Sequence, residues 1–291
     1  MKKSTLITSL NTLIIFDYSG TLSRHAPLFS RPDNLQRHLE NSGLKDVGIE
    51  SPSIFWEQLV NPTWEEGSTT SAGYKQIMEK QIRTLLSDTM AMISSDRISK
   101  AVSSFVDSYF RHSNIDRKWT SVLQTLYRNH SIITIIATDH YAEATGFIIK
   151  FLRTFRIRAI TANEALLRHG QHPFVVANSA DMGVHKTDPR FWEILKSRLN
   201  LENIQRILIV DDFGYHEQQG DRYADRQKVA IRKNETVRVL KSVFRVDIEV
   251  IPFMMRGGDL SKDERYTNLV AESSLAIQKF LFSDINKQGD A

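Results

Sequence analysis

The sequence predicts an α/β fold, a doubly wound and Rossmann-like parallel sheet with an α-helical segment inserted after the first strand. Three observations predict it. Short apolar runs rich in β-branched residues end in polar ones, at Asp17, at Thr138 and at Asp211-Asp212. Apolar residues recur at helical spacing from Arg24 to about Asn114, where strand signals are scarce. After Asn114 strand and helix patterns alternate, the rhythm of a parallel sheet wrapped by helices.

The elements follow in order. Leu13-Ile14-Ile15-Phe16 reads as a buried strand that stops at Asp17 and turns at Gly20. Ile54, Phe55 and Leu59, then Ile77, Met78, Ile82 and Leu85, then Ile98, Val102, Phe105, Val106 and Tyr109 mark helices. Pro, Gly and Ser separate them, as in Ser51-Pro52-Ser53 and Glu66-Gly67-Ser68. Trp119, Val122, Leu123 and Leu126 predict a helix, and Ser131 to Ala137 a strand closed by Thr138. A helix carries Ala144, Ile148 and Phe151, and Arg158 to Thr161 is a short strand. Asp188-Pro189 opens a helix, Asp as N-cap and Pro at the first helical position. Arg206 to Val210 is a continuous apolar strand. Lys228 to Ile231 and Ile248 to Ile251 read as further strands, and Lys262 to Phe282 as a closing helix. The division is residues 1–23 and 115–291 as an α/β catalytic core, with 24–114 as a helical cap domain.

Composition limits the classes of function. The 291 residues are 41% hydrophobic and 25% charged, which suits a soluble globular chain with a sizeable core. The absence of cysteine rules out disulfides, thiolate metal sites and a Cys nucleophile. The net charge of +4 favours an anionic ligand, but no Lys/Arg run is long enough for a nucleic-acid groove. Lys150, Arg153, Arg156 and Arg158 read as a solvated helix end. The N-terminal stretch is broken by Ser, Thr and Asn and lacks a small-residue cleavage site, so a first strand is preferred to a signal peptide. No run approaches the ~18 apolar residues of a membrane span. The expectation is a cytoplasmic protein that binds neither membrane nor nucleic acid.

In an open parallel sheet, ligands bind outside the carboxyl ends of the strands. Asp17, Thr138 and Asp211-Asp212 all fall at that edge. Four segments there resemble the haloacid dehalogenase (HAD) superfamily in the right order. They are Ile14-Ile15-Phe16-Asp17-Tyr18-Ser19-Gly20-Thr21, Ile135-Ile136-Ala137-Thr138, Lys186-Thr187-Asp188-Pro189-Arg190-Phe191, and Ile209-Val210-Asp211-Asp212. The helical insertion also stands at the family's commonest cap position. The resemblance implies a Mg²⁺-dependent hydrolase acting on a small phosphorylated metabolite through an aspartyl-phosphate. Asp17 would be the nucleophile, since a carboxylate that attacks phosphorus splits one hard step into two. Asp17, Asp211, Asp212 and the backbone carbonyl of Ser19 would hold Mg²⁺, a cation that prefers oxygen ligands. Gly20, Thr21, Thr138 and Lys186 would bind the phosphoryl oxygens, and Lys186 and Thr138 would also stabilise the charge that moves.

The sequence departs from the family at Ser19. Phosphatases of the family place an Asp there, which protonates the leaving oxygen and later activates water, a role worth about 10²–10⁴-fold. Phosphonoacetaldehyde hydrolases carry a small residue there and use a cap lysine; Lys45, Lys75, Lys80 and Lys100 are available here. Two alternatives therefore stand beside the phosphatase reading. One is C–P hydrolysis or phosphoryl transfer, and the other is a weakly active protein that binds a phospho-ligand or a partner. A further acid often follows the fourth motif, and Glu217 could fill that place. Asp221 and Asp225 read as loop structure, and His140, His185 and His216 as surface or substrate-facing residues. No motif specifies a substrate or an oligomeric state.

Overall fold

The computed structural model describes residues 11–87, 93–164, 173–218, 220–221, 224–255 and 263–282. The N-terminal stretch compared with a signal peptide lies outside them, apart from its last residues, as do Lys262 and, between Asp221 and Asp225, Arg222 and Tyr223.

Six strands form one sheet: β1 Thr12–Phe16, β2 Ile132–Thr138, β3 Ala159–Thr161, β4 Phe174–Asn178, β5 Arg206–Asp211 and β6 Ile248–Pro252. Their order is β3-β4-β2-β1-β5-β6, with every pairing parallel. The centre of the sheet is buried on both faces, which is why β1, β2 and β5 read as unbroken apolar runs. Alternation sorts each strand between two cores. Ile14, Phe16, Ile136, Val176, Leu208 and Val210 point to one, while Leu13, Ile15, Ile135, Val175, Ile207 and Ile209 point to the other.

Helices Pro189–Arg198 and Arg226–Phe244 cover the second face through Phe191, Trp192, Leu195, Val239, Leu240 and Phe244. On the first face lie Thr120–Arg128, Glu143–Thr154 and Asp263–Phe282. The chain between β1 and β2 is helical, with no strand among its described residues. It includes Pro32–Ser42, Gly73–Leu85 and Ser95–His112. Its apolar side chains, Leu35, Phe55, Met78, Val102 and Phe105 among them, belong to the same core as the first face of the sheet. No described helix is long and apolar enough to cross a membrane.

Two expectations are corrected. Lys228 to Ile231 lies in a helix, Arg226–Phe244, and not in a strand. Four apolar-leaning residues cannot tell strand from helix. What decides is the longer spacing, with Val229, Thr236, Val239, Leu240 and Phe244 buried on one face. The Asp225 carboxylate also accepts the Gln227 N–H at 3.0 Å and caps the helix. The strand between β3 and β2 was not anticipated. Phe174–Asn178 is only five residues long and follows the polar Gly170-Gln171-His172, so it carries little signal of its own.

Candidate active site

β1 lies between β2 and β5, in register Phe16↔Ile136 and Phe16↔Val210. The residue after Phe16 therefore emerges at the centre of the carboxyl edge. The backbone N–H of Asp17 still donates to Val210 O at 2.9 Å, so the sheet itself fixes this carboxylate. Thr138 ends β2 and Asp211 ends β5 on either side. Asp17, Ser19, Thr138, Lys186, Asp211 and Asp212, drawn from four separate segments, line one cavity.

Lys186 precedes the helix that Asp188 caps, its side chain accepting the Arg190 N–H at 2.8 Å. Its backbone is held at both ends: the N–H donates to Asp139 Oδ1 at 2.9 Å, and the carbonyl accepts from Trp192 Nε1 at 2.7 Å. The side chain is buried and donates to Asp17 Oδ1 at 2.6 Å and to Asp211 Oδ2 at 3.0 Å.

Asp212 is oriented by its own loop. Its Oδ1 accepts from Gly214 N at 3.1 Å and its Oδ2 from His216 N at 2.9 Å. Its N–H donates to Thr21 Oγ1 at 3.0 Å, tying the first motif to the fourth. Gly20 has φ +76, and a Cβ there would run into Asp212 Oδ2, so only glycine fits. Gly20 and Thr21 do not line the cavity; the Gly20 N–H is spent on Ser23 O at 2.9 Å.

His216 is buried and structural, which corrects the expectation of a surface or substrate-facing residue. Its Nε2 accepts from Met255 N at 3.0 Å, so Nδ1 carries the proton and donates toward Gly20 O at 3.0 Å and Asp212 Oδ2 at 3.0 Å. His140 is also buried but lines the cavity. Its Nδ1 accepts from Tyr141 N at 2.8 Å, leaving Nε2–H to pair with Tyr109 Oη at 2.9 Å. His185 is half-buried outside the cavity, against Ser68 Oγ at 2.7 Å.

Burial pushes His140 down to about 4. Below its ordinary value near 6.5 the unfolded chain takes up a proton that the folded chain refuses. Stability is therefore expected to fall as pH drops from about 6.5 to about 4, by up to ~3 kcal/mol from this residue. In His140→Gln the acid-side loss should shrink; melting temperatures of both proteins at pH 7.5 and pH 4.5 check this.

Asp17 is held well above the usual carboxylate range by burial and by the charges of Asp211 and Asp212, with Lys186 opposing. Asp211 is raised by burial and by Asp212, again against Lys186. Three carboxylates thus face one ammonium. One oxygen from each of Asp17, Asp211 and Asp212 lies within 4.8 Å of the others. Octahedral Mg²⁺, with bonds of about 2.0–2.1 Å, spans about 4.1 Å between opposite ligands. An all-oxygen, negatively charged cluster within 4.8 Å fits a metal site.

At the position two residues after Asp17, Ser19 Oγ donates to Glu217 Oε1 at 2.7 Å. Burial, then Asp221 and Asp212, push Glu217 up to about 8. Glu217 was legible as an acid following Asp211-Asp212. Asp221, in the loop expected for it, also lines the cavity. Asp139 and Tyr141 line it too and were missed. The only cue to them is that they directly follow Thr138. The helical segment supplies the roof, including Phe29, Phe55, Trp56, Trp64, Tyr74 and Tyr109. No lysine of this segment lines the cavity among the described residues. Lys45, Lys75 and Lys80 instead pair with Glu40 at 2.9 Å, Asp107 at 2.7 Å and Glu66 at 2.7 Å.

Fold and site together define a doubly wound α/β protein with an acidic, lysine-bridged centre at the carboxyl edge of its sheet. This is the arrangement that the resemblance to the HAD superfamily implied. Three solved HAD-type structures are similar to the chain. A 2-haloacid dehalogenase from Pseudomonas syringae pv. Tomato DC3000 is 16% identical, with TM-score 0.45, over 75% of this chain and 83% of that one. The HAD-hydrolase YfnB from Bacillus subtilis, bound to magnesium, is 15% identical, with TM-score 0.41, over 75% and 86%. A HAD family enzyme from Bacteroides thetaiotaomicron is 13% identical, with TM-score 0.41, over 86% and 96%; it is an aspartate-to-alanine mutant in complex with magnesium and inorganic phosphate. No family model and no curated protein matches the sequence.

Proposed function

We propose that this chain is a Mg²⁺-dependent HAD-type hydrolase that releases phosphate from a small phosphorylated metabolite. The observation that carries the reading is the meeting of Asp17, Lys186, Asp211 and Asp212 in one buried, roofed cavity.

Asp17, Asp211 and Asp212 would hold the cation, with the Ser19 carbonyl added by the family resemblance. Bound Mg²⁺ offsets the negative charge of carboxylates and phosphate and polarises the phosphoryl group. An Asp17 oxygen attacks phosphorus, the P–O bond to the alcohol breaks, and an aspartyl-phosphate forms; water then cleaves it to phosphate. Lys186 holds the attacking carboxylate in place and balances charge as the phosphoryl group transfers. Thr138, which ends β2 and lines the cavity, would donate to a phosphoryl oxygen. Ser19 stands where the family's acid would be, its hydroxyl donating to Glu217. The helical roof excludes water and limits the leaving group to what the cavity admits.

The alternative C–P chemistry needs a cap lysine for a Schiff base, and no described lysine there lines the cavity, which favours ester hydrolysis. The test is a screen of phosphate monoesters with 5 mM Mg²⁺ or with EDTA. The expected result is phosphate release from at least one ester with Mg²⁺ and none with EDTA. Metal-independent release would sink the proposal.

A further inference from the structure

Helix Gly73–Leu85, in the roof, begins without a cap of its own. Ala72 stands at its N-cap and makes no side-chain cap bond, and its first turn carries no acidic residue. A helix start leaves backbone N–H groups without intrahelical partners. Two of them go to one carboxylate from the core: Glu143 Oε2 accepts from Tyr74 N at 2.7 Å, and Glu143 Oε1 from Lys75 N at 3.2 Å.

Glu143 is itself the first residue of helix Glu143–Thr154. Its charge therefore lies between the positive ends of two helices, one in the roof and one in the core. Bonds from N–H groups to an ionised acceptor are roughly twice as strong as neutral ones. The Lys75 side chain is engaged with Asp107 at 2.7 Å, so the link to Glu143 runs through the roof's backbone.

The fit is close. Gly73 has φ +79, and a Cβ there would lie 2.8 Å from Glu143 Oε1, so glycine permits the approach. Beside this clasp Tyr74 stacks on Tyr141, with ring centroids 3.8 Å apart and planes 9° apart. A Cβ on Gly67, in helix Asn61–Thr69, would run into the same Tyr141 ring.

The core half of the clasp is continuous with the phosphate end. The segment from Thr138 to Glu143 leaves β2 at its carboxyl end. Asp139 Oδ1 accepts from Lys186 N at 2.9 Å, and Tyr141 O accepts from Asn178 Nδ2 at 2.9 Å, so the segment is tied to the sheet edge on its way to Glu143. Thr138, Asp139, His140 and Tyr141 line the cavity; Glu143 does not.

We propose that Glu143 is a positioning residue: its carboxylate fixes the Tyr74 end of the roof to the segment that carries Thr138, and so sets how the roof closes over Asp17. This rests on the reading of Asp17, Thr138 and Lys186 as the phosphate site.

The test joins amide exchange to kinetics on the full-length protein. In Glu143→Ala, hydrogen exchange at the Tyr74 and Lys75 amides should quicken about tenfold or more, the scale of a lost bond to a charged acceptor, while β1 and β2 keep their protection. With Mg²⁺, KM for p-nitrophenyl phosphate and for the best ester of the screen above should rise about fivefold or more. The change in kcat should stay within about threefold, because Glu143 touches no reacting atom. Glu143→Gln keeps one acceptor oxygen and should recover part of both losses. Wild-type exchange, a wild-type KM, or a loss confined to kcat in Glu143→Ala overturns the positioning role and leaves the phosphatase reading standing. If Glu143→Ala loses protection in β1 and β2 as well, Glu143→Gln carries the comparison, and wild-type exchange and KM there overturn the role. If the wild type turns over no ester and takes up no beryllofluoride, the phosphatase reading falls and takes this role with it.

Discussion

Asp17→Asn is expected to release phosphate about 10⁴–10⁶-fold more slowly than the wild type, the scale seen when a covalent nucleophile is removed. The amide keeps the shape and can still accept from Lys186, but it cannot form an acyl-phosphate. The same change should leave the metal-free protein no less stable. The wild-type Asp17 is raised well above its ordinary value by burial and by its acidic neighbours. A carboxyl raised in this way contributes stability that is present below its unfolded value and lost as pH rises through its folded value. The benefit of asparagine should therefore grow as pH increases. Steady-state phosphate release with saturating Mg²⁺, beside thermal melts without metal at pH 5 and pH 8, reads both effects. A variant that retains a tenth of the activity would remove Asp17 from the chemistry.

Lys186→Met should have the largest effect on the fold. The ammonium lies 2.6 Å from Asp17 and 3.0 Å from Asp211, with all three side chains buried. Removing it leaves buried carboxylates without their cation. Breaking a buried pair from one side costs about 3–5 kcal/mol, or a fall in melting temperature of roughly 10 °C for a chain of this size. Mg²⁺ should restore a larger share of stability to this variant than to the wild type, because the ion supplies the missing positive charge. Melting curves with Mg²⁺ and with EDTA decide it. Equal metal-free stability of variant and wild type would mean that the three carboxyls do not share charge through Lys186. Turnover should fall as well, since the attacking carboxylate loses its anchor.

The residues at the carboxyl edge were legible because strand ends are. β1, β2 and β5 are apolar runs terminated by a polar residue, and a parallel sheet aligns their ends. Lys186 was legible through the Asp188-Pro189 helix start that follows it. The short β4 and the helical nature of Lys228 to Ile231 were not, because runs of four or five apolar residues take their structure from neighbours. The walls of the cavity were also hidden. Trp56, Tyr74 and Tyr109 sit at helical spacing among core residues, and only the tertiary fold shows that part of each faces the cavity. Asp221 belongs to a loop whose place is set by Trp56 and Asn61, more than 150 residues earlier in the chain.

The rings that bound the cavity belong to the same apolar mass that packs one face of the sheet: Phe55, Trp56, Tyr74 and Phe105 are joined there to Phe16 and Val210. In the proposed reaction, selectivity and folding therefore draw on one set of side chains. Trimming a ring to admit a bulkier alcohol also opens a void in the core, and such voids cost about 3–5 kcal/mol for a large aromatic. In the proposed reaction, divergence toward new substrates would therefore be accompanied by compensating changes elsewhere in the fold.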